Sequence, residues 1–190
     1  MSFLKSTSSN SWLQAVLTHF DLFLTDHAAA EKKASGMALS MVSHYPDKIE
    51  LVKTMTDIAI EELVHFKQVV QLMTERNIQL KADEKDSYVN QLRQHFRKGT
   101  DWYFLDRLIV GAIVEARGCE RFSLISECLT DEKLKKYYRA ISQSEQKHYQ
   151  IFMDLAYLYF DKQNVDERVD ELLHIEADIL ARLPIRATLH

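Results

Sequence analysis

Two short words in this sequence pair a carboxylate with an imidazole at helical spacing: Glu62-Leu63-Val64-His65 and Glu145-Gln146-Lys147-His148. Residues three apart on an α-helix share a face, so each word can aim two donors at one point. Two more carboxylates, Glu31 and Glu115, precede these words by 31 and 30 residues, counting Glu31 to Glu62 and Glu115 to Glu145. The set is four carboxylates and two imidazoles. In an apolar interior it is costly unless each charge is balanced. Two divalent cations would balance four carboxylates and bind two neutral imidazoles. Oxygen-rich sites with imidazole suit iron or manganese, whereas thiolate sites suit softer metals. An iron pair of this kind could hydroxylate a C–H bond, oxidise iron for storage or destroy peroxide, and the donor pattern alone leaves these open.

Such donors must be held by something rigid, and the surrounding residues supply four helical stripes. They run Leu24-His27-Glu31-Ala34-Ala38, Ile58-Glu62-His65-Val69-Leu72, Leu108-Ala112-Glu115-Cys119-Phe122 and Ile141-Glu145-His148-Phe152-Leu155. Steps of three and four make each set one face of a bundle helix, apolar except at its middle. The heights match too. Glu31 lies 15 residues before Pro46 and Glu62 lies 16 after it, while Glu115 and Glu145 each lie 15 from Thr130. At about 1.5 Å per residue, all four stand roughly 22–24 Å from their hairpin turns. Antiparallel hairpins would therefore set Glu31 beside Glu62, and Glu115 beside Glu145. The pattern of one Glu from each of two helices and Glu-x-x-His from each of the other two is that of ferritin-like di-iron bundles. The stretch between His65 and Glu115 supplies the long crossover of that topology.

Turn residues mark the boundaries. Ser9, Asn10 and Ser11 can cap a helix starting near Trp12, which runs to about His44 with an expected break near Thr25-Asp26. Pro46 stops it. A second helix is expected from about Asp47 to Arg76, a short one over Ser87 to Arg97, and a third long one from Trp102 to Cys128, capped by Thr100 or Asp101. Thr130-Asp131 caps a fourth reaching about Lys162, and a last helix covers Val165 to Leu183. No strand is expected. The fold class is all-α: a ferritin-like four-helix bundle with a long crossover and additional shorter helices.

Composition agrees. The 190 residues suit one domain, residues 1–190, and contain only four Gly and two Pro, the residues that interrupt helices. A net charge of −4 excludes a generally basic nucleic-acid binder, though not a local patch. Cys119 and Cys128 sit too far apart along one helix to pair, which fits a reducing cytoplasm. The N-terminus has no signal-peptide stretch and no apolar run is long enough to span a bilayer.

Several neighbours need placing. His27, one turn before Glu31, reads either as a partner of the site or as a structural histidine. Cys119 reads as core packing. Glu61 and Glu120 lie off the stripes and read as surface residues or outer partners. His19, His44, His95, His174 and His190 have no matching donors and read as surface or structural.

Longer words carry a resemblance. Asp26-His27-Ala28-Ala29-Ala30-Glu31-Lys32-Lys33-Ala34-Ser35, Glu61-Glu62-Leu63-Val64-His65-Phe66, the run Asp106 to Phe122 (DRLIVGAIVEARGCERF) and Ser144-Glu145-Gln146-Lys147-His148-Tyr149 resemble the MiaE family of tRNA hydroxylases. The run Asp106 to Phe122 is the most specific, and the likeness extends from about Trp12 to Pro184. The resemblance implies a non-haem di-iron monooxygenase acting on 2-methylthio-N6-isopentenyladenosine beside the tRNA anticodon. It implies O2 as co-substrate and an external electron donor such as a ferredoxin or reductase. It implies Glu31, Glu62, His65, Glu115, Glu145 and His148 as ligands of two iron ions, and no ligand position departs from the family pattern. The enzyme is expected to be cytoplasmic, a monomer or small oligomer, with no membrane attachment.

A base in an anticodon loop is accessible without opening a duplex. Two basic clusters could hold its phosphates: Arg93, Arg97, Lys98 and Arg107, and Lys133, Lys135, Lys136 and Arg139. Each reads equally as a solvated helix face. Two other functions share the six ligands. A quinone-type hydroxylase would work at a membrane and should expose an apolar helix face, which is not legible here. A ferritin-like ferroxidase or iron store should form a large shell.

Overall fold

The computed structural model describes residues 3–190, so the first two residues of the N-terminal stretch lie outside it. Seven helices follow one another: α1 (Asn10–Thr18), α2 (Phe20–His44), α3 (Ile49–Glu75), α4 (Ser87–Arg93), α5 (Thr100–Cys128), α6 (Glu132–Tyr159) and α7 (Lys162–Arg182). There is no strand among the described residues. The chain forms two compact units. One comprises Gln14–Glu84 and Arg186–Leu189, the other Met1–Leu13, Lys85–Ile185 and His190.

The first unit is the α2/α3 hairpin. Its helices are antiparallel: the Ser35 hydroxyl donates to the Ala59 carbonyl at 2.8 Å, and both positions lie 12 residues from Asp47 in the turn. Leu24, Ala28, Ala38 and Met41 of α2 and Leu51, Met55, Ile58 and Val69 of α3 fill its interior. Asn77 ends α3 with φ 57°, a left-handed conformation that Asn tolerates better than most residues.

The second unit is built on the α5/α6 hairpin, with α4 and α7 packed on it. Rings and small residues pair across it at matching heights, Phe122 with Tyr138 near the turn and Gly111 with Phe152 further along. The Asp131 carboxylate caps α6, accepting from Lys133 and Leu134 N–H at 2.8 and 3.0 Å. Asp86 caps α4 in the same way, accepting from Val89 N–H at 2.9 Å.

Helix breaks differ from expectation in four places, one of them between the last two helices, where α6 stops at Tyr159 and not Lys162 and α7 starts at Lys162 and not Val165. The first long helix breaks at His19, not at Thr25-Asp26. Thr25 is helical, its hydroxyl folded back to donate to the carbonyl of Asp21 one turn earlier and so not capping a new helix, and Asp26 spends its carboxylate on the backbone N–H of Leu189 at 2.7 Å. The helix starting at Ser87 stops at Arg93, not Arg97. Finally, α5 begins at Thr100 behind Gly99, whose φ of 96° only Gly adopts readily, so neither Thr100 nor Asp101 is its cap.

Candidate metal centre

In the first unit Glu31, Glu62 and His65 are buried, and their donor atoms lie within 4.8 Å of one another. His65 Nδ1 is 3.2 Å from Glu62 Oε2 and 3.6 Å from Glu31 Oε2. His27 donates from Nε2 to Glu31 Oε1 at 2.5 Å and is fully buried. It is therefore a hydrogen-bond partner of Glu31. Burial would raise the Glu31 carboxyl, but the charge of His27 and hydrogen bonds from His27 and His65 outweigh it and hold Glu31 well below the usual carboxylate range. Burial opposes charge on His65, yet its hydrogen bonds to Glu31 and Glu62 push it up to about 10. This half-site attracts positive charge strongly.

In the second unit Glu115, Glu145 and His148 are buried, with donor atoms again within 4.8 Å of one another. Gly118 faces Glu145: a Cβ there would stand 3.8 Å from Glu145 Cγ and Oε2. One turn from the ligands on either helix, Gly111 lets the Phe152 ring close in, since a Cβ at Gly111 would lie 2.8 Å from the ring. Ser142 donates to the Cys119 carbonyl at 2.9 Å and so ties α6 to α5 one turn from Glu115. Cys119 is half-buried there, and both cysteines are free thiols.

The two half-sites have the same composition, two carboxylates and one imidazole each. Oxygen and nitrogen donors without thiolate, buried and clustered, fit iron or manganese. Apolar helix faces around them keep out the water that would otherwise solvate the carboxylates.

Two ion-pair networks escaped the sequence reading. Arg117 is fully buried and donates from Nε to Glu176 at 2.9 Å, from Nη1 to Glu120 at 3.0 Å and from Nη2 to the Ser6 carbonyl at 3.0 Å. Glu120 also accepts from Ser8, and Tyr88 donates to Glu176, so the network joins α4, α5, α7 and the N-terminal segment. Asp106 is the other centre, held by Arg97 and by Arg168 of α7. Burial would raise its carboxyl, but hydrogen bonds from Arg168 and Arg97 outweigh burial and lower it. The partners on α7, Glu176 and Arg168, stand 59 and 62 residues from Arg117 and Asp106, so no local spacing announces those two pairs. Glu120 is thus a structural acceptor, and Glu61 is exposed.

The family profile of tRNA-(MS[2]IO[6]A)-hydroxylase (MiaE) matches residues 1–190. The chain belongs to the MiaE family. It is 34% identical over 179 residues to the tRNA 2-(methylsulfanyl)-N(6)-isopentenyladenosine(37) hydroxylase of Pseudomonas putida, covering 94% of this chain and 87% of that protein. A hydroxylase of the same name from Salmonella typhimurium is 32% identical over 155 residues, which is 82% of this chain and 56% of that protein. Among solved structures, Protein 43 with aldehyde deformylating oxygenase activity from Synechococcus superposes with a TM-score of 0.94 at 30% identity, covering 100% of this chain and 96% of that one. The fold class is the all-α, ferritin-like bundle expected from the stripes. Members of the MiaE family are enzymes, and no helix among the described residues is long and apolar enough to cross a membrane.

Proposed function

We infer that this chain hydroxylates the isopentenyl group of 2-methylthio-N6-isopentenyladenosine beside the tRNA anticodon, using O2 and two iron ions. The observation that carries this reading is the matched pair of buried half-sites, Glu31, Glu62 and His65 with Glu115, Glu145 and His148, in a chain of the MiaE family. The names of its relatives support the substrate. The 190 residues act as one ferritin-like domain in which all six ligands serve one dinuclear centre. When bound, the iron pair supplies O2 activation for insertion into a C–H bond. The chain's own residues balance its charge with four carboxylates, fix Glu31 through His27 and keep bulk water out. Insertion of one oxygen atom leaves the other to be reduced to water. Two electrons from an external ferredoxin or reductase and two protons complete the balance. The enzyme works in the cytoplasm as a monomer or small oligomer.

One observation favours a second reading, a quinone-type hydroxylase. Ile60, Leu63 and Val64 form an exposed apolar patch on α3, one turn wide, where the sequence alone had made no such face legible. Liposome flotation separates the two: the tRNA enzyme stays in the soluble fraction.

The test is turnover of purified, iron-loaded protein with O2, a reductase and tRNA bearing the isopentenyl modification, read by nucleoside mass spectrometry. A gain of one oxygen on that nucleoside is expected. No gain with two irons bound and a competent reductase would overturn the substrate and leave the quinone and ferroxidase readings.

A further inference from the structure

Among the described residues three aromatic rings are exposed, Trp102, Tyr103 and Tyr157. All three lie where α5 begins and α6 ends, an end closed by the Phe104 ring packing on Tyr159 and Phe160 at 5.5 and 5.6 Å. The sequence had already placed Arg93, Arg97 and Lys98 beside this end.

Trp102 is 43% exposed, yet it is held in place. The Arg97 guanidinium lies 4.7 Å from its ring centroid. Arg97 is itself immobilised, its Nη2 donating to Asp106 at 2.7 Å and its backbone N–H at 2.7 Å to the same carboxylate. Arg168 locks Asp106 from α7 at 2.9 and 2.8 Å. Tyr103 is propped edge-on by Phe96 at 5.4 Å. Asp106 and Glu171 between them balance Arg97 and Arg168, so the free positive charge at this end rests on Arg93 and Lys98. Arg93 and Lys98 are exposed and make no ion pair among the described residues, while of the nearby acids Glu171 is already paired with Arg168 at 2.7 Å and Asp101 is exposed.

A fixed, exposed indole backed by a guanidinium, with the exposed Arg93 and Lys98 nine and four residues before it in the chain, suits an unstacked base with its phosphates. We propose that Trp102, backed by Arg97, is a stacking platform for an unpaired base of the substrate RNA, with Arg93 and Lys98 on the flanking phosphates. The proposal rests on the function inferred above for the identity of that RNA. Trp102 lies 13 residues before Glu115 on α5, a count read from the sequence. That spacing is about 20 Å along the helix axis. At about 3.4 Å per stacked nucleotide, the platform meets a base roughly six nucleotides from the one being oxidised. It therefore acts on binding of the loop, away from the chemistry.

The test is fluorescence titration of the iron-loaded protein with tRNA carrying the isopentenyl modification, beside anisotropy of labelled tRNA and steady-state hydroxylation. Of the two tryptophans, Trp12 is buried and Trp102 exposed, so Trp102 reports its own stacking. Wild type should show saturable quenching, which Trp102→Phe abolishes while keeping part of the affinity. Trp102→Ala should raise Kd about 5- to 100-fold, with KM rising alongside. Arg93→Ala and Lys98→Ala should each lower the salt slope of binding by about 1. Iron content should not change. Wild-type affinity in Trp102→Ala overturns the platform while leaving hydroxylation standing. So does slower reduction by the protein electron donor with unchanged tRNA Kd, which assigns the patch to that donor. Quenching and binding without hydroxylation keep the platform and overturn the inferred function. No binding by wild type overturns both.

Discussion

His27 and Glu31 share a hydrogen bond of 2.5 Å one turn apart on α2, and both side chains are buried. A carboxylate fixed in this way presents its remaining lone pairs in one direction. His27→Ala should weaken ferrous-ion affinity about 10- to 100-fold, the usual effect of losing a hydrogen-bond partner of a metal ligand. His27→Gln should recover part of it. Anaerobic iron titration checks both, and undiminished affinity in the alanine variant would reduce His27 to packing.

Gly111 and Phe152 meet across the second hairpin with no space for a methyl group. Gly111→Ala should displace the ring and cost about 1–3 kcal/mol, the range for overpacking a core. Adding Phe152→Leu should recover part of that loss. Urea unfolding of both single variants and the double variant measures the coupling, and simple additivity would deny the contact.

Asp106 makes stability depend on acid. Its carboxyl is lowered in the folded protein, so its contribution is fully present above the unfolded value of about 3.9 and is lost as pH falls through the lower folded value. Asp106→Asn removes the charge facing Arg97 and Arg168, and should cost about 3–5 kcal/mol at neutral pH. The loss should shrink as acid titrates wild type. Unfolding free energies measured from neutral pH downward check this; a constant difference would exclude the linkage.

The six candidate ligands were legible because each hairpin turns regular rise into register. Glu31 and Glu62, or Glu115 and Glu145, stand at equal heights once Pro46 and Thr130 are read as turns. Caps such as Asp131 were legible for the same local reason. The break at His19 was not, since no side chain caps α2 there and the chain turns on backbone hydrogen bonds alone. Nor were Arg117–Glu176 and Asp106–Arg168, because pairing across 59 and 62 residues depends on how α7 packs, which no short pattern encodes. The exposed apolar turn at Ile60, Leu63 and Val64 was hidden because apolar residues at helical spacing look alike whether covered or bare.

The central claim is that the two half-sites act as one dinuclear centre, and anaerobic titration of the metal-free protein with ferrous iron, followed by Mössbauer spectroscopy, tests it most directly. Two irons per chain in a single coupled pair are predicted, with both lost or uncoupled in Glu62→Ala and in Glu145→Ala. One iron per chain, or two irons that bind independently and stay magnetically separate, would contradict it.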